Sequence, residues 1–302
     1  MTVVSAKSSI RPSGRGRPTR GTAWRLLRTP PASAAWNMAC DHALAESVGR
    51  AGGPAVLRLF GWDPPAISVG YGQPLRDVAD RMTGLRRSGV DLVRRPTGGG
   101  AVLHADEVTY SVAAPLASRL LENGPRAACE RIHAAILTGL ESLGISGLAL
   151  HGGRSVSRPV ECGDGEGREG AAASPTPISL APRVCFAAAS RSEISWRGRK
   201  LVGSAQRRMG AALLQHGSIL LAGDQGLLAA LWPEAARTGV ATLAEAGRRR
   251  FGWEEVADAV GRGFERELGA VFEESPLEAA ELRRIEELID DAYECRGFLL
   301  RV

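Results

Sequence analysis

The chain has 302 residues and a formal net charge of +5, from 38 Lys and Arg against 33 Asp and Glu. The whole excess lies in residues 1–24, which hold five basic residues and no acid. With 44% apolar residues overall, the chain can bury a core, which excludes an intrinsically disordered protein. The neutral remainder lacks the basic face of a dedicated nucleic-acid binder. No apolar run approaches the roughly 20 residues of a membrane span.

The N-terminal 23 residues differ in composition from the rest, being rich in Ser, Pro, Gly and Arg. We expect them to form a disordered arm, and they lack the apolar stretch of a secretory signal. A mitochondrial transit role stays open for this acid-free arm. The five cysteines are odd in number and widely spaced, which argues against disulfides or a CxxC metal site and for a cytoplasmic location. They are Cys40, Cys129, Cys162, Cys185 and Cys295.

The pattern of a folded domain begins at Trp24. Ser33 is placed to cap a helix that runs to about Val48. The other elements of the first half follow from alternating apolar residues and from turn residues. Strands are predicted at 24–27, 55–60, 66–70, 91–95, 101–104 and 107–113, with a helix within 74–88.

The second half begins with a helix at 125–143 that has one apolar face. Residues 151–183 are rich in Gly, Ser, Pro and Glu, and a loop of that length is usually functional or flexible. A hairpin at 193–202, a strand at 211–221 and amphipathic helices at 253–269 and 277–293 follow. This mixture predicts an α+β fold with mixed, largely antiparallel sheets flanked by helices. We divide the chain into the arm 1–23, a main domain 24–250 with 151–183 as a flexible insert, and a helical extension 251–302.

The string from Arg94 to His104, Arg-Arg-Pro-Thr-Gly-Gly-Gly-Ala-Val-Leu-His, is the first candidate for chemistry. Three successive glycines between strands pack nothing, so they need a reason. Without Cβ atoms, Gly98, Gly99 and Gly100 let a ligand lie against main-chain N–H groups. Arg94 and Arg95 offer forked donors to a phosphate or carboxylate. The alternative is a glycine-rich hairpin beside surface arginines.

Lys200 is the second candidate, because it is one of only two lysines among the 38 basic residues. A surface that needs only positive charge accepts Arg, whereas a site that needs a compact ammonium does not. Lys200 precedes the small residues Gly203, Ser204 and Ala205 on a predicted strand. We therefore interpret Lys200 as a chemical requirement, with a stray lysine in a biased composition as the alternative.

Cys185 is the third candidate, since it stands where the low-complexity stretch ends, 15 residues before Lys200. A nearby ammonium would lower the pKa of the thiol and raise its thiolate fraction. Such a thiolate can accept an acyl group and pass it on. The other cysteines fit the ordinary role of a small buried residue or lie in the polar loop.

Four segments together resemble the lipoate–protein ligase and octanoyltransferase superfamily, whose catalytic domain is shared with biotin ligases. They are Leu57–Trp62 with Gly70–Gln73, the Arg94–His104 string, Gly198–Gln206 and Gln215–Ile219. The resemblance covers about 24–253 and implies a fold similar to biotin synthetase and class II aminoacyl-tRNA synthetases. The sequence departs from the superfamily pattern at Ala105, where Asp is usual, and at Ala189, where Pro is usual.

Within the superfamily, the chain is most similar to the transferase branch that carries its cysteine on a loop. The resemblance implies that Cys185 takes octanoyl from a carrier-protein thioester and passes it to a lysine of a lipoyl domain, with Lys200 as the second catalytic residue. It implies substrate-binding roles for Arg94, Arg95, Gly98, Gly99, Gly100, His104, Gly203, Ser204, Ala205 and His216. The expected donors are octanoyl-acyl carrier protein or an acylated glycine-cleavage H-type protein. We expect no cofactor, no metal, no membrane, no nucleic acid and a monomer.

Two alternatives remain at this point. An ATP-dependent lipoate–protein ligase would use the same glycine run and Lys200, with ATP and Mg²⁺ to make an acyl-AMP, and Cys185 would be incidental. A non-enzymatic binding module is the second alternative, because Arg15-Gly16-Arg17-Pro18 resembles the core of an arm that enters the DNA minor groove. The absence of net charge in the rest of the chain argues against such a DNA-binding module.

Overall fold

The computed structural model describes residues 21–74, 89–150, 193–223 and 240–293. Its strands are β1 (Thr22–Arg28), β2 (Ala55–Phe60), β3 (Ala66–Val69), β4 (Asp91–Arg94), β5 (Val102–His104), β6 (Glu107–Pro115), β7 (Leu148–Leu150), β8 (Ile194–Trp196), β9 (Arg199–Met209), β10 (Ala212–Leu220) and β11 (Ala270–Glu274). Its helices are α1 (Ala34–Ala51), α2 (Gly124–Glu141), α3 (Leu243–Gly247), α4 (Trp253–Leu268) and α5 (Ala279–Leu288), with a 3₁₀ turn at Arg119–Leu121 and a π-turn at Ile289–Tyr293.

Two sheets organise the described residues. Eight strands form the central sheet in the order β11-β1-β2-β6-β10-β9-β8-β7, and three form a small sheet in the order β4-β3-β5. β1 runs parallel to both β2 and β11, and β3 runs parallel to β4. All other neighbouring strands pair antiparallel. The expected α+β fold with mixed, largely antiparallel sheets is confirmed.

Both faces of the central sheet are covered by helices, which explains why β2 is buried at every position. Its side chains alternate between the faces, as a strand requires. Leu57 and Leu59 pack in one core cluster with α2 and α4. Val56 and Phe60 pack in a second cluster with α1 and α5. The described residues therefore form two large cores, one on each side of the sheet.

The small sheet lies on the α1 side of the central sheet. Ala66 of β3 and Val93 of β4 belong to the same core cluster as α1. His104 of β5 reaches the central sheet, with its Nδ1 3.2 Å from the Ser218 hydroxyl of β10. The space between the two sheets contains the cavity described below.

The strands and helices predicted within the described residues are present, with ends that shift by a few residues and with β9 running longer than expected. The Ser33 side chain caps α1 as predicted, accepting a hydrogen bond from the Trp36 N–H at 3.3 Å. Thr22 and Ala23, assigned to the arm from sequence, form the start of β1. The predicted helix within 74–88, the insert 151–183 and residues 1–20 lie outside the described residues.

The sequence did not indicate the short elements β7, β11 and α3. β11 lacks an alternating apolar pattern, since Ala270 is buried but Val271 is exposed. It is a strand because it pairs with β1 directly after Gly269, whose positive φ of 61° ends α4. These residues form a strand because they pair with β1, which is distant in sequence, and not because of their own apolar pattern.

The C-terminal segment shares a core with the rest of the chain. Phe251, Val256, Val260 and Phe264 belong to the same cluster as Leu57, and Trp24 meets Phe264 edge to face at 5.6 Å. The division of the chain into domains at residue 250 stays a prediction.

Candidate active site

A narrow cavity that opens to solvent lies between the two sheets. Its floor is a row of residues on three neighbouring strands, because Ser218 of β10 pairs with both Gly203 of β9 and Thr109 of β6. The residues around the cavity come from α1, both sheets and the intervening loops. They are Met38, Trp62, Ser68, Arg95, Val102, His104, Thr109, Gly203, Ser204, Ala205, His216, Gly217 and Ser218.

The two arginines of the glycine string are buried, and all but one of their described bonds go to main-chain carbonyls, the exception being the bond from Arg95 to the Ser68 hydroxyl at 3.0 Å. Arg95 donates to Ser68 O at 3.0 Å, to Gly98 O at 2.6 Å and to Gly100 O at 2.8 Å. Arg94 donates to three carbonyls of residues 70–73, at 2.7 to 2.9 Å. The arginines therefore hold the loops that surround the cavity, and the surface hairpin weighed from sequence is wrong. A direct role in substrate binding stays a prediction for both.

The glycine run lies close to a second glycine segment. A Cβ atom on Gly70 would come within 1.9 Å of Gly99 O, so only glycine fits at position 70. Gly99 itself has a φ of 95°, a conformation that side chains rarely adopt. Gly98 and Gly99 are exposed, and a Cβ on Gly98 would meet nothing within 4 Å. The run thus presents open main chain at Gly98 and Gly99, and its role in binding a ligand stays a prediction.

His216 is held by a buried carboxylate that the sequence analysis missed. Its Nδ1 lies 3.0 Å from Asp41 Oδ2, and its Nε2 lies 2.6 Å from the Thr97 hydroxyl. We assign the ring proton to Nδ1, so that Nε2 accepts from Thr97. Asp41 also accepts from Arg58 at 2.8 Å and from Ser111 at 2.8 Å. His216 therefore links the glycine run to α1 and to the central sheet.

Burial governs the ionisation of this pair. Burial alone would raise the pKa of the Asp41 carboxyl, but the hydrogen bond from His216 and the charge of Arg58 outweigh it and hold that pKa below its ordinary value. Burial lowers the pKa of His216, and the bond to Asp41 offsets this only in part. The resting pair is a charged Asp41 and a neutral imidazole.

His104 stacks on Trp62, with ring centroids 4.1 Å apart and an interplanar angle of 14°. Its Nε2 lies 2.8 Å from the Ser68 hydroxyl, and its Nδ1 lies 2.8 Å from Glu107 Oε1. Trp62 in turn donates from Nε1 to the Thr109 hydroxyl at 2.7 Å. These contacts fix both rings as one wall of the cavity.

Lys200 donates from Nζ to Glu193 Oε1 at 2.7 Å, and both side chains are buried. Leu201 and Val202 both pack in the cluster under α2 and α4, although consecutive strand residues normally face opposite sides. A register shift between β8 and β9 allows this, because a β-bulge adds a residue to one strand. Lys200 therefore faces the other side of the sheet, the same side as Gly203 and the cavity.

Ser204 lines the cavity with its main chain, whereas its side chain points to the opposite face of the sheet. Its hydroxyl lies 2.6 Å from the Tyr110 hydroxyl and 2.6 Å from His133 Nε2. Gly217 permits this packing, since a Cβ there would lie 2.4 Å from Gly203 O. Ser204 was predicted to bind substrate, and only its backbone is placed to do so.

Cys185 lies outside the described residues, as do Cys162 and Cys295. Cys40 and Cys129 are free thiols. Burial raises the pKa of Cys40 to about 12 and that of Cys129 to about 11. Both of these thiols are therefore protonated at neutral pH, as expected of structural cysteines.

Within the described ranges, no cluster of three or more His, Cys, Asp and Glu residues is arranged to hold a metal ion. In the same ranges, none of the helices combines the length and the apolar character needed to span a bilayer.

Of the residues predicted from sequence, His104 and His216 line the cavity, whereas the sequence analysis did not single out Asp41, Glu193 or the partners of Ser204. Asp41 did carry a signal, because it lies three residues after Met38 and three before Leu44 on the buried face of α1. A charged residue on an apolar face requires a partner. The sequence around Asp41 does not show that its partner is His216, which lies 175 positions further along the chain.

Residues 33–265 match the family described as the lipoyl protein ligase A/B catalytic domain. The chain is 37% identical over 291 residues to "Octanoyltransferase LipM" of Symbiobacterium thermophilum, which covers 93% of this chain and 99% of that protein. It is 38% identical over 277 residues to "Octanoyltransferase LipM" of Kyrpidia tusciae, covering 88% and 94%. Among solved structures, a putative lipoate protein ligase from T. acidophilum has a TM-score of 0.67 at 24% identity and covers 93% of this chain and 99% of that one, a similarity of fold.

The neutral state of His216 makes a testable contribution to stability. Because its pKa is lowered in the folded protein, the unfolded chain binds the proton more readily, and stability falls as pH drops below the ordinary value of about 6.5. We expect the melting temperature to fall between pH 6.5 and 5, and to fall less steeply in His216→Asn. Calorimetry across this pH range measures both slopes, and equal slopes would contradict the assignment of a neutral His216.

Proposed function

The chain belongs to the lipoyl protein ligase A/B catalytic domain family, and we propose that it transfers octanoyl groups through a thioester on Cys185. It is an acyltransferase of protein lipoylation, as its relatives named octanoyltransferase indicate. Such an enzyme acts on an acyl donor and on a lipoyl-domain acceptor. The thioester, the identity of the donor and the roles of individual residues are the parts that we propose.

The observation that carries the mechanism is the position of Lys200. It lies on the cavity face of β9, three residues before Gly203, and its ammonium is held by Glu193. A buried ammonium on this face of the sheet would stabilise negative charge on a thiolate or on an acyl oxygen. Cys185 precedes Glu193 by eight residues along the chain, a separation short enough for its sulfur to reach this ammonium.

In the first step, the Cys185 thiolate attacks the carbonyl carbon of the octanoyl thioester. A new C–S bond forms, the C–S bond to the carrier breaks, and the carrier thiolate takes up the proton that Cys185 released. In the second step, the neutral amine of the acceptor lysine attacks the same carbon. The C–N bond forms, the C–S bond to Cys185 breaks, and the amine proton returns to the Cys185 sulfur. The bonds and protons of the two steps balance without an oxidant, a nucleotide or a cofactor.

Main-chain N–H groups of the exposed glycine run and of the Ser204–Ala205 segment are the proposed donors to the oxyanion. Ser204 and Ala205 line the cavity that would hold the octanoyl chain, and Arg95, which also lines it, holds the carbonyls of Gly98 and Gly100. The donor is proposed to be octanoyl-acyl carrier protein or an acylated H-type protein of glycine cleavage. A cytoplasmic location stays a prediction from cysteine usage.

The thioester is tested directly by mass spectrometry. The protein is incubated with octanoyl-acyl carrier protein without ATP, and a hydroxylamine-labile octanoyl adduct is expected on the peptide that contains Cys185. Cys185→Ser should abolish adduct and lipoyl-domain acylation, whereas the matched variant Cys162→Ser should retain both. Full acylation by Cys185→Ser that depends on ATP would instead establish a ligase.

The requirement for a lysine is tested by exchanging neighbouring basic residues. Lys200→Arg keeps the charge but replaces the compact ammonium, and we expect kcat to fall by about 100-fold or more. Arg199→Lys, the reverse exchange at an adjacent half-exposed position, should leave kcat unchanged. Steady-state rates of lipoyl-domain octanoylation measure both. If Lys200→Arg kept nearly wild-type activity, the proposed catalytic role of Lys200 would be contradicted.

A further inference from the structure

We propose that Trp62, stacked on His104, is the residue that sets the maximum length of the acyl chain. This inference rests on the proposed function, because it assumes that the acyl group occupies the cavity between the two sheets. It concerns specificity and not the chemical step, since Trp62 carries no group that can transfer a proton or an acyl chain.

The direction of the chain follows from the strand order. Gly203, Ser218 and Thr109 form one row across β9, β10 and β6. Lys200 faces the cavity from β9, so the reacting carbonyl belongs at the β9 end of this row. The chain must then run towards β6, which lies about 10 Å from β9 at the usual strand spacing. That distance is close to the length of an extended eight-carbon chain.

The neighbouring row is occupied by a large side chain. There His216 pairs across the strands with Ala205 on one side and Ser111 on the other. Its imidazole is held between Asp41 and Thr97. The first row begins at Gly203, which has no side chain and leaves room above β9 for an acyl chain.

Trp62 stands at the β6 end of the open row. Its indole N–H is bonded to Thr109, the β6 residue of the row, and its ring is stacked on His104. The Trp62 ring also lies 5.8 Å from the ring of Phe60, which pairs with Thr109 from β2. Trp62 and His104 are only 7% and 6% exposed, so neither ring can turn out into solvent. A methyl terminus that reaches Thr109 therefore meets the face or edge of a fixed indole.

Polar groups behind the Trp62 and His104 rings further restrict the length of the acyl chain. Glu107 is buried, and its Oε1 accepts a hydrogen bond from the Ser218 hydroxyl at 2.9 Å. The same oxygen lies 2.8 Å from His104 Nδ1 and accepts from the Thr109 hydroxyl. A longer chain that displaced Trp62 would press hydrocarbon against this carboxylate and its partners. Burial of charged groups without their hydrogen bonds is strongly unfavourable. The wall therefore rejects added methylenes by shape and by polarity.

The test compares octanoyl and decanoyl donors on the same carrier protein, with transfer to a lipoyl domain followed by mass spectrometry. Trp62→Leu should raise the decanoyl-to-octanoyl ratio of kcat/KM by about tenfold, because each methylene that gains an apolar site contributes roughly a factor of four. Trp62→Phe, which keeps an aromatic ring, should raise it less. The matched control Trp24→Leu removes another buried indole, in the core on the opposite face, and should leave the ratio unchanged.

A folded Trp62→Leu with the wild-type ratio would overturn the inference while leaving octanoyl transfer intact. If Trp62→Leu does not fold, Trp62→Phe is the variant that tests the inference. A decanoyl-to-octanoyl ratio in Trp62→Phe equal to that of the wild type would then overturn the inference. Failure of the wild type to transfer octanoyl at all would overturn the proposed function, and the inference with it. A change of equal size in Trp24→Leu would show a general loosening and would also contradict the specific role of Trp62.

Discussion

Asp41 is a fully buried carboxylate on α1, and the arrangement of the site depends on how its charge is matched. Arg58 of β2 supplies the opposite charge at 2.8 Å, with both side chains excluded from solvent. Removing one partner of such a pair costs about 3–5 kcal/mol, because the other charge stays buried. Arg58 is further fixed by Asn37 Oδ1 at 2.6 Å and by the Phe60 ring, 3.8 Å below the guanidinium. The interaction therefore locks α1 onto the central sheet.

The same carboxylate positions the glycine run. Asp41 holds His216, and His216 holds Thr97, the residue directly before Gly98. Arg95 then fixes the carbonyls of Gly98 and Gly100. A chain of buried contacts thus leads from the helix to exposed main chain beside the cavity. Open glycine backbone, which is costly to order on its own, is kept in place by these buried contacts.

The sequence predicted the periodic elements well, because helix and strand periods are local properties. It also identified Lys200 by its scarcity, and the glycine run by its lack of packing value. It could not predict the bulge that turns Lys200 to the cavity, since this depends on how β8 and β9 pair. It predicted that Arg94 and Arg95 bind a ligand, but it could not predict their bonds to carbonyls of Gly70, Gln73 and Gly100, because only the fold determines where these carbonyls lie.

The position of side chains within the site depends on which strands become neighbours. Ser204 and Ala205 follow each other in sequence, yet the Ser204 hydroxyl joins Tyr110 and His133 on the far side of the sheet. Trp62 and His104 are separated by 42 positions in the chain but form one wall, because β5 folds back over the central sheet. These pairings arise from tertiary packing, for which a single sequence carries no local signal.

The central claim is that the acyl chain lies in the row from Gly203 to Thr109, with its carbonyl towards Lys200. A crystal structure of the full chain after reaction with octanoyl-acyl carrier protein tests it most directly. The account predicts continuous density from a sulfur near Lys200, along Ser218, to a terminal methyl against Trp62. An octanoyl chain that lies outside this cavity, or one whose carbonyl points away from Lys200, would contradict it.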